Sequence, residues 1–149
     1  MAEIAFEGVS PILRVANLEA SVDYYTQVLG FRKQWGDRWV ACVARGRCHL
    51  FLSEGDQGHS GTWVWIGVGD AAALCVEYES QGAKIRHHPT NYPWAYEMQV
   101  EDLDGNVLRM GSEPLGGVPT GEWLDMDGDC WLPLPEGGWK KKEVTGSGA

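Results

Sequence analysis

Val15-Ala16-Asn17-Leu18, with the residues that follow as far as Leu29-Gly30-Phe31, is the stretch that decides the fold of this chain. The run from Ser10 to Val15 before it is short and apolar, which is typical of a strand. Asn17 is a favourable helix N-cap, and Gly30 is a favourable residue just beyond a helix C-terminus. Between them an apolar stripe recurs at helical spacing, formed by Leu18, Val22, Tyr25 and Leu29. The sequence therefore predicts a strand followed by an amphipathic helix.

The same order of elements occurs a second time along the chain. The run from Trp63 to Val68 precedes Val68-Gly69-Asp70-Ala71, which opens a helical stretch that ends at Gln81-Gly82-Ala83. Strand-like runs follow each helix, and the polar residues 54–61 form a connector between the two halves. An internal repeat of this kind predicts a pseudo-symmetric fold whose halves share a groove.

The second half has a finer pattern of strands and turns. We predict a short strand over residues 83–87, a loop over 88–93 and a strand over 94–101. Asp104-Gly105 is a hairpin turn signal, and a further strand follows it from Asn106 to Gly111.

Residues 113–149 have no counterpart in the first half and are rich in Gly, Pro and Trp. Asp125-Met126-Asp127-Gly128-Asp129 is similar to Asp102-Leu103-Asp104-Gly105-Asn106, which predicts another hairpin in this C-terminal extension. A calcium loop is excluded because Cys130 stands where such a loop needs glycine. We predict that Lys140 to Ala149 is disordered, with a flexible end over residues 145–149.

Composition and charge exclude several classes of function. The formal net charge of −9 argues against nucleic-acid binding, which requires clustered Lys and Arg. An acidic surface is compatible with a cationic ligand, or with solubility alone. There is no apolar run long enough to cross a membrane. The N-terminus has no signal-peptide pattern, so we expect a cytoplasmic protein with four reduced cysteines and no CxxC zinc knuckle.

The chain resembles the vicinal oxygen chelate superfamily, the group of glyoxalases, bleomycin-resistance proteins and ring-cleaving dioxygenases. The resemblance is carried by residues 12–31, by Pro93-Trp94-Ala95-Tyr96-Glu97 and by residues 101–109. It implies an α+β fold of two βαβββ modules, about residues 8–53 and 62–112, forming a curved mixed sheet with a concave groove. It also implies a homodimer.

Alternation along the predicted strands indicates which side chains line that groove. Val64 and Ile66 suit the helix-facing side, which leaves Trp63 and Trp65 for the groove. The residues that we predict to bind a ligand are Trp39, Phe51, Trp63, Trp65, Tyr96 and Arg109. Glu97 is expected to pair with Arg109 or to receive a cationic ligand group. The alternative is that a partner subunit or the C-terminal extension closes the groove and turns these residues into core.

Positions carried over from metal-dependent members of the superfamily hold no metal ligands in this chain. The resemblance places these positions at Ser10, Phe51, Trp63 and Arg109. None of these side chains is a usual ligand of a divalent cation, and a guanidinium repels one. We therefore expect neither a metal nor another cofactor.

Three functions follow as hypotheses. The first is a metal-independent, dimeric binding protein without enzymatic activity, which sequesters a planar or cationic small molecule and resembles bleomycin-resistance proteins. The second is a metal-dependent lyase, dioxygenase or transferase of the same superfamily. The third is an interaction module whose extension docks a partner protein through Trp123, Trp131 and Trp139, unless that extension folds over its own domain.

Overall fold

The structure is a computed structural model that describes residues 2–143. The first module contains strand β1, helix α1, a π-helical turn and three further strands. Their bounds are β1 Ile12–Arg14, α1 Leu18–Asp23, the π-helical turn Tyr24–Val28, β2 Arg32–Gly36, β3 Val40–Arg45 and β4 Cys48–Ser53. The second module repeats the order with β5 Trp63–Gly67, α2 Ala71–Ser80, β6 Lys84–Asn91, β7 Tyr96–Glu101 and β8 Val107–Ser112. The predicted α+β fold with two βαβββ modules is confirmed.

Both modules have the same strand order. The first sheet runs β1-β4-β3-β2 and the second runs β5-β8-β7-β6. In each sheet the strand before the helix pairs in parallel with the last strand of the module, and the remaining pairs are antiparallel. The mixed sheet is therefore two separate four-stranded sheets within residues 2–143.

The helix N-termini form as the sequence predicts. Asn17 accepts a hydrogen bond from the Ala20 amide at 3.0 Å, and Asp70 accepts one from the Ala73 amide at 3.0 Å. Each cap satisfies an amide that has no partner within the helix. The first helix changes to the π-helical turn after Asp23, where the Thr26 hydroxyl donates to the Val22 carbonyl at 2.8 Å.

Strand β6 differs from its prediction. It extends to Asn91, so the loop predicted over residues 88–93 is wrong for its first four residues. Register shifts on either side of His87 accommodate Pro89 in this edge strand. The following strand begins at Tyr96 rather than at Trp94.

One hydrophobic core joins the two modules. It combines the helix-facing residues of both sheets with residues of the helical segments, and includes Leu13, Val43, Leu52, Tyr25, Tyr78, Met98, Val100 and Leu108. Tyr25 donates to the Asp102 carboxylate at 2.9 Å, and Tyr78 donates to the Leu29 carbonyl at 2.8 Å, so both hydroxyls cross between modules. Since each sheet turns one face to this shared core, each also has an opposite face that lies outside the core. We call these the first and second outer faces.

The C-terminal extension folds into a third, antiparallel sheet. Its strands are β9 Trp123–Leu124, β10 Cys130–Pro133 and β11 Trp139–Lys141. The predicted hairpin is confirmed. The predicted disorder is wrong at Lys140 and Lys141, which pair with β10, and the predicted flexible end at 145–149 lies outside the described residues.

Two hairpins are closed by the same side-chain device. The Asp102 carboxylate accepts the amides of Asp104 and Asn106 at 2.8 and 2.9 Å. Asp125 accepts the amides of Asp127 and Asp129 at 2.9 and 2.8 Å. The similarity of the two sequences thus reflects the same turn. No helix within residues 2–143 has the length and apolar character to cross a membrane.

Candidate functional site

The predicted ligand-binding residues lie on different parts of the molecule. Phe51 lies on the first outer face and Trp39 lies in the turn before β3. Trp63, Trp65 and Arg109 lie on the second outer face. Among residues 2–143 no aromatic pair, ion pair or hydrogen bond joins the first group to the second. One chain therefore does not bring the six residues into a single groove.

Tyr96 lies on the wrong side of its strand for the predicted role. Its register follows that of Met98 and Val100, which are fully buried in the core. Successive strand residues alternate between faces, so the outer face receives Glu97 and Gln99 instead. Tyr96 is thus removed from the set of groove residues.

The first outer face presents a partly exposed aromatic surface. Trp35 and Phe51 meet edge to face with ring centroids 5.4 Å apart. Trp35 is 50% exposed and Trp39 is 53% exposed. The Arg38 guanidinium lies over the Trp39 ring at 4.3 Å from its centroid, so an indole face here already holds a cation.

The second outer face is organised around the buried carboxylate of Glu97, whose side chain is 1% exposed. Arg109 donates to it twice, from Nε at 2.8 Å and from Nη2 at 3.0 Å. The indole N–H groups of Trp94 and Trp65 also donate to Oε1. The expected pairing of Glu97 with Arg109 is confirmed, and these four donors satisfy the carboxylate.

Two glycines create the space in which the Trp65 indole lies. A Cβ atom on Gly67 would lie 3.3 Å from Trp65 Cζ3, and one on Gly111 would lie 3.1 Å from Trp65 Cζ2. The space beside Gly67 is therefore filled by the Trp65 ring. Trp65 remains 51% exposed at the surface.

The C-terminal extension covers much of the second outer face. Gln99 donates to the Leu124 carbonyl at 3.0 Å, and Arg86 donates to the Asp125 carbonyl. Trp123 lies with its ring centroid 6.3 Å from that of Trp63, and the Arg109 guanidinium lies 5.0 Å from the Trp123 centroid. The alternative in which the extension closes this part of the groove is therefore what the structure shows. Trp123 and Trp139 pack on their own domain, and Trp131 donates to Asp125 within the extension.

This contact builds an aromatic cluster that alternation along the strands does not predict. Tyr92 and Trp94 stack with centroids 4.8 Å apart and planes 2° apart. Trp123 and Trp139 both lie within 6.5 Å of the Trp94 ring, centroid to centroid. The abundance of tryptophan in residues 113–149 was the available signal, but its partners on the loop before β7 could not be identified from spacing.

Two cavities, of about 630 and 670 Å³, lie away from the residues that were predicted to bind a ligand. The smaller one lies between the β3–β4 turn and α2, with Phe31, Ile66 and Met110 among its lining residues. The Arg45–Glu77 ion pair, 2.7 Å long, stands at it. The other is lined mainly by polar residues near the start of α1. No predicted ligand-binding residue lines either cavity.

The residues at the positions carried over for a metal do not fit a divalent cation. Arg109 is itself a cation, and it donates hydrogen bonds to both oxygens of the neighbouring Glu97 carboxylate. The other three positions carry the hydroxyl of Ser10 and the aromatic rings of Phe51 and Trp63. Elsewhere in the described part of the chain Cys75, Glu79 and His88 approach one another within 4.8 Å. Burial raises the pKa of the Cys75 thiol to about 11, and its S–H donates to Glu79 at 3.3 Å. His88 pairs with the same carboxylate at the surface.

Comparison with known proteins gives a consistent family. The sequence profile described as the Glyoxalase/Bleomycin resistance protein/Dioxygenase superfamily matches residues 8–110. A comparison with curated proteins gave no match.

Solved structures provide further relatives of the fold. The bleomycin-binding protein of Streptomyces verticillus, solved with copper(II)-bleomycin, is 29% identical, with a TM-score of 0.64 over 74% of this chain and 98% of that one. An antibiotic-binding protein from Streptomyces sp. CB03234 is 21% identical, with a TM-score of 0.66 over 76% of this chain and 100% of that one. A glyoxalase/bleomycin resistance protein/dioxygenase from Nocardioides is 19% identical, with a TM-score of 0.60 over 78% and 90%.

Proposed function

Because the chain belongs to the glyoxalase/bleomycin resistance protein/dioxygenase superfamily, we propose that it sequesters a small molecule without a metal and without catalysing a reaction. The observation that carries the proposal is its likeness to the bleomycin-binding protein, which extends over 98% of that chain at 29% identity. The ligand proposed here is planar or cationic and stacks on aromatic side chains.

The first outer face supports this proposal. Trp35, Phe51 and Trp39 expose flat aromatic surface that is not covered by another element of the described chain. Aromatic rings offer a large contact area at low cost in conformational entropy, and their faces attract cations. The formal net charge of −9 raises the local concentration of a cationic ligand.

A homodimer completes the proposed site. Trp35 and Trp39 are about half exposed, so a ligand on the first outer face lies against an open surface. A second copy provides the missing wall. The N-terminal residues Ile4, Phe6 and Val9 are at least 86% exposed, and their apolar surface supports such an association.

We propose a cytoplasmic location. The structure shows Cys42, Cys48, Cys75 and Cys130 as free thiols, which fits a reducing compartment.

Calorimetric titration with copper(II)-bleomycin, metal-free bleomycin and a panel of planar cationic dyes tests the proposed function. We expect saturable binding, and we expect Phe51→Ala to weaken it by about 1–3 kcal/mol because a stacking ring is lost. Val76→Ala is the matched control, because Val76 is 69% exposed on α2, away from both outer faces. Absence of heat and of a thermal shift with every compound would contradict the proposal.

Metal analysis of the purified protein distinguishes the alternative function. A metal-dependent lyase, dioxygenase or transferase requires a bound divalent ion, whose removal by a chelator lowers its activity. Stoichiometric zinc, iron or manganese in the purified protein would favour that alternative and contradict sequestration without a metal.

A further inference from the structure

The C-terminal extension and the second module together form a shallow, open cavity of unusual composition. The cavity has a volume of about 410 Å³ and lies beside the aromatic cluster of Tyr92 and Trp94, on the other module from the first outer face. Its lining residues are four tryptophans and one aspartate, namely Trp94, Trp123, Trp131, Trp139 and Asp125. Only Trp94 comes from the family-matched part of the chain, so the extension creates this cavity.

The tryptophans stand at steep angles to one another. The planes of Trp94 and Trp123 are 75° apart with centroids separated by 6.1 Å, and those of Trp94 and Trp139 are 54° apart at 6.5 Å. The indole N–H of Trp94 donates to Glu97, and that of Trp131 donates to Asp125 at 2.8 Å. These two walls therefore offer π-faces to a ligand, with their polar edges already satisfied. We call the five lining residues the tryptophan cage.

Asp125 supplies the cage with a fixed negative charge. Its Oδ1 accepts the amides of Asp127 and Asp129, and its Oδ2 accepts the indole N–H of Trp131. The Trp131 hydrogen bond, followed by that from the Asp129 amide, lowers the pKa of the Asp125 carboxyl, so it is anionic at neutral pH.

Neighbouring cations have their own partners. Lys141, which also lowers the pKa of Asp125, pairs with Asp129 at 3.1 Å. Arg109, which lies over the Trp123 ring, is paired twice with Glu97. No lysine or arginine is among the lining residues, so the cage itself carries a net negative charge.

We propose that the tryptophan cage binds the quaternary or tertiary alkylammonium group of a small molecule. Such a group spreads its positive charge over methyl groups, which contact several aromatic faces at once. It needs few hydrogen bonds, and the cage offers one carboxylate whose oxygens already accept three. A primary ammonium needs more acceptors, and a hard metal ion needs several oxygen ligands. An anion is excluded by Asp125.

The volume of the cavity agrees with this class of ligand. Small-molecule sites commonly occupy about 300–1,000 Å³, so the cage accommodates the cationic head together with part of the attached molecule. This inference does not rest on the proposed function, since the cage and the first outer face have no residue in common. Binding at the cage and failure of bleomycin to bind are therefore separable results.

Titration with choline tests the proposal directly. Binding to the full chain is followed by calorimetry and by the indole N–H signals of the cage tryptophans in NMR spectra. The control ligand is the tert-butyl analogue of choline, in which carbon replaces nitrogen and the shape is kept without the charge. We expect saturable choline binding that shifts the signals of Trp131 and Trp139, and about tenfold weaker binding of the neutral analogue.

Two variants locate the binding. Trp139→Phe reduces the π-face of one wall, and Asp125→Asn removes the charge while keeping the size of the side chain. We expect each to weaken choline binding about three- to thirtyfold. Val76→Ala is the control, because Val76 is 69% exposed on α2, which contributes no residue to the cage, and its substitution should leave choline binding unchanged.

Three results would overturn the proposal. They are the absence of saturable choline binding to the wild-type chain, equal binding of the neutral analogue, and wild-type affinity in the folded Trp139→Phe protein. Since the first two use only the wild-type chain, they decide the question even if a variant does not fold.

Discussion

Glu97 shows how one buried residue organises a whole surface. Its carboxylate is 1% exposed and accepts hydrogen bonds from Arg109, Trp94 and Trp65. Burying a charge is unfavourable unless it is paired and hydrogen-bonded, and both conditions hold here. Glu97 therefore fixes the positions of the three larger side chains around it.

Removing this carboxylate should destabilise the protein strongly. We expect Glu97→Ala to lower the free energy of unfolding by about 3–5 kcal/mol, because the guanidinium of Arg109 loses its partner in a half-buried position. Urea denaturation measures the effect. In an Arg109→Met background the same substitution should cost less, since no unpaired charge remains. Equal costs in both backgrounds would show that the ion pair is not the cause.

Gly111 is packed so closely that even a methyl group would crowd its neighbours. A Cβ atom there would lie 3.1 Å from Trp65 Cζ2 and 3.2 Å from Glu97 Cβ. We expect Gly111→Ala to destabilise the protein by about 1–3 kcal/mol and to change the environment of Trp65. Thermal unfolding and tryptophan fluorescence are the measurements.

Gly69→Ala is the control for this substitution. A Cβ atom on Gly69 meets no atom within 4 Å and the residue has no positive φ. Equal stability of the two variants would contradict the steric argument at Gly111.

Single residues also show where sequence reasoning succeeded and failed. The pairing of Glu97 with Arg109 could be predicted because both fall at recognisable positions of one hairpin. Tyr96 lies two residues before Met98 and four before Val100, so it is on the same, core-facing side of β7 and not on the side predicted for the groove. A shift of one residue in the predicted strand exchanges its two faces, so every side chain is then assigned to the wrong side of the sheet.

At the scale of elements, the C-terminal extension acts as a cover for the second sheet. Its β9 segment takes hydrogen bonds from Gln99 through the Leu124 carbonyl, and its Trp123 lies between Trp63 and Arg109. These contacts replace the solvent that the second outer face would otherwise meet.

Truncation after Ser112 should therefore destabilise the protein. We expect the shortened chain to unfold at a lower temperature or to fail to fold, because the second outer face loses its aromatic cover and Gln99 loses its acceptor. Thermal unfolding monitored by near-ultraviolet circular dichroism checks this. An unchanged midpoint would indicate that the extension contributes little to folding. It would then favour the hypothesis that the extension docks a partner protein.

The elements that the sequence predicted well are those specified by local chemistry. Asn17, Asp70 and the two aspartate turns each act within four residues along the chain, so their patterns are visible in the sequence. The π-helical turn, in which the Thr26 hydroxyl donates to the Val22 carbonyl, has no such local pattern, and the length of β6 depends on pairing with β7. Such features require knowledge of competing hydrogen bonds or of a neighbouring strand.

At the scale of the whole molecule, the relative placement of the modules was beyond the sequence. The repeat predicts two equivalent halves, but it does not say which faces meet. Contacts such as Tyr25 with Asp102 and Tyr78 with Leu29 join residues far apart in the chain, and they turn the helix-facing sides together. The predicted groove residues consequently divide between two outer faces.

This arrangement predicts association of two copies. A stable dimer buries about 1,200–2,000 Å² in total, and the first outer face and the exposed N-terminal residues provide apolar surface for it. We expect sedimentation to show a homodimer, and Trp35→Glu to shift it toward monomer. Met126→Glu is the control, because Met126 is 77% exposed on the turn of the extension. A monomeric wild-type chain at micromolar concentration would contradict this prediction.

The stacking of Tyr92 on Trp94, with Trp123 and Trp139 within 6.5 Å of that indole, has an optical consequence. Aromatic chromophores at such separations couple their ultraviolet transitions, so we expect a paired positive and negative band in circular dichroism. Because Trp123 and Trp139 belong to β9 and β11, that band would report without any added dye whether the C-terminal extension is docked on the second module.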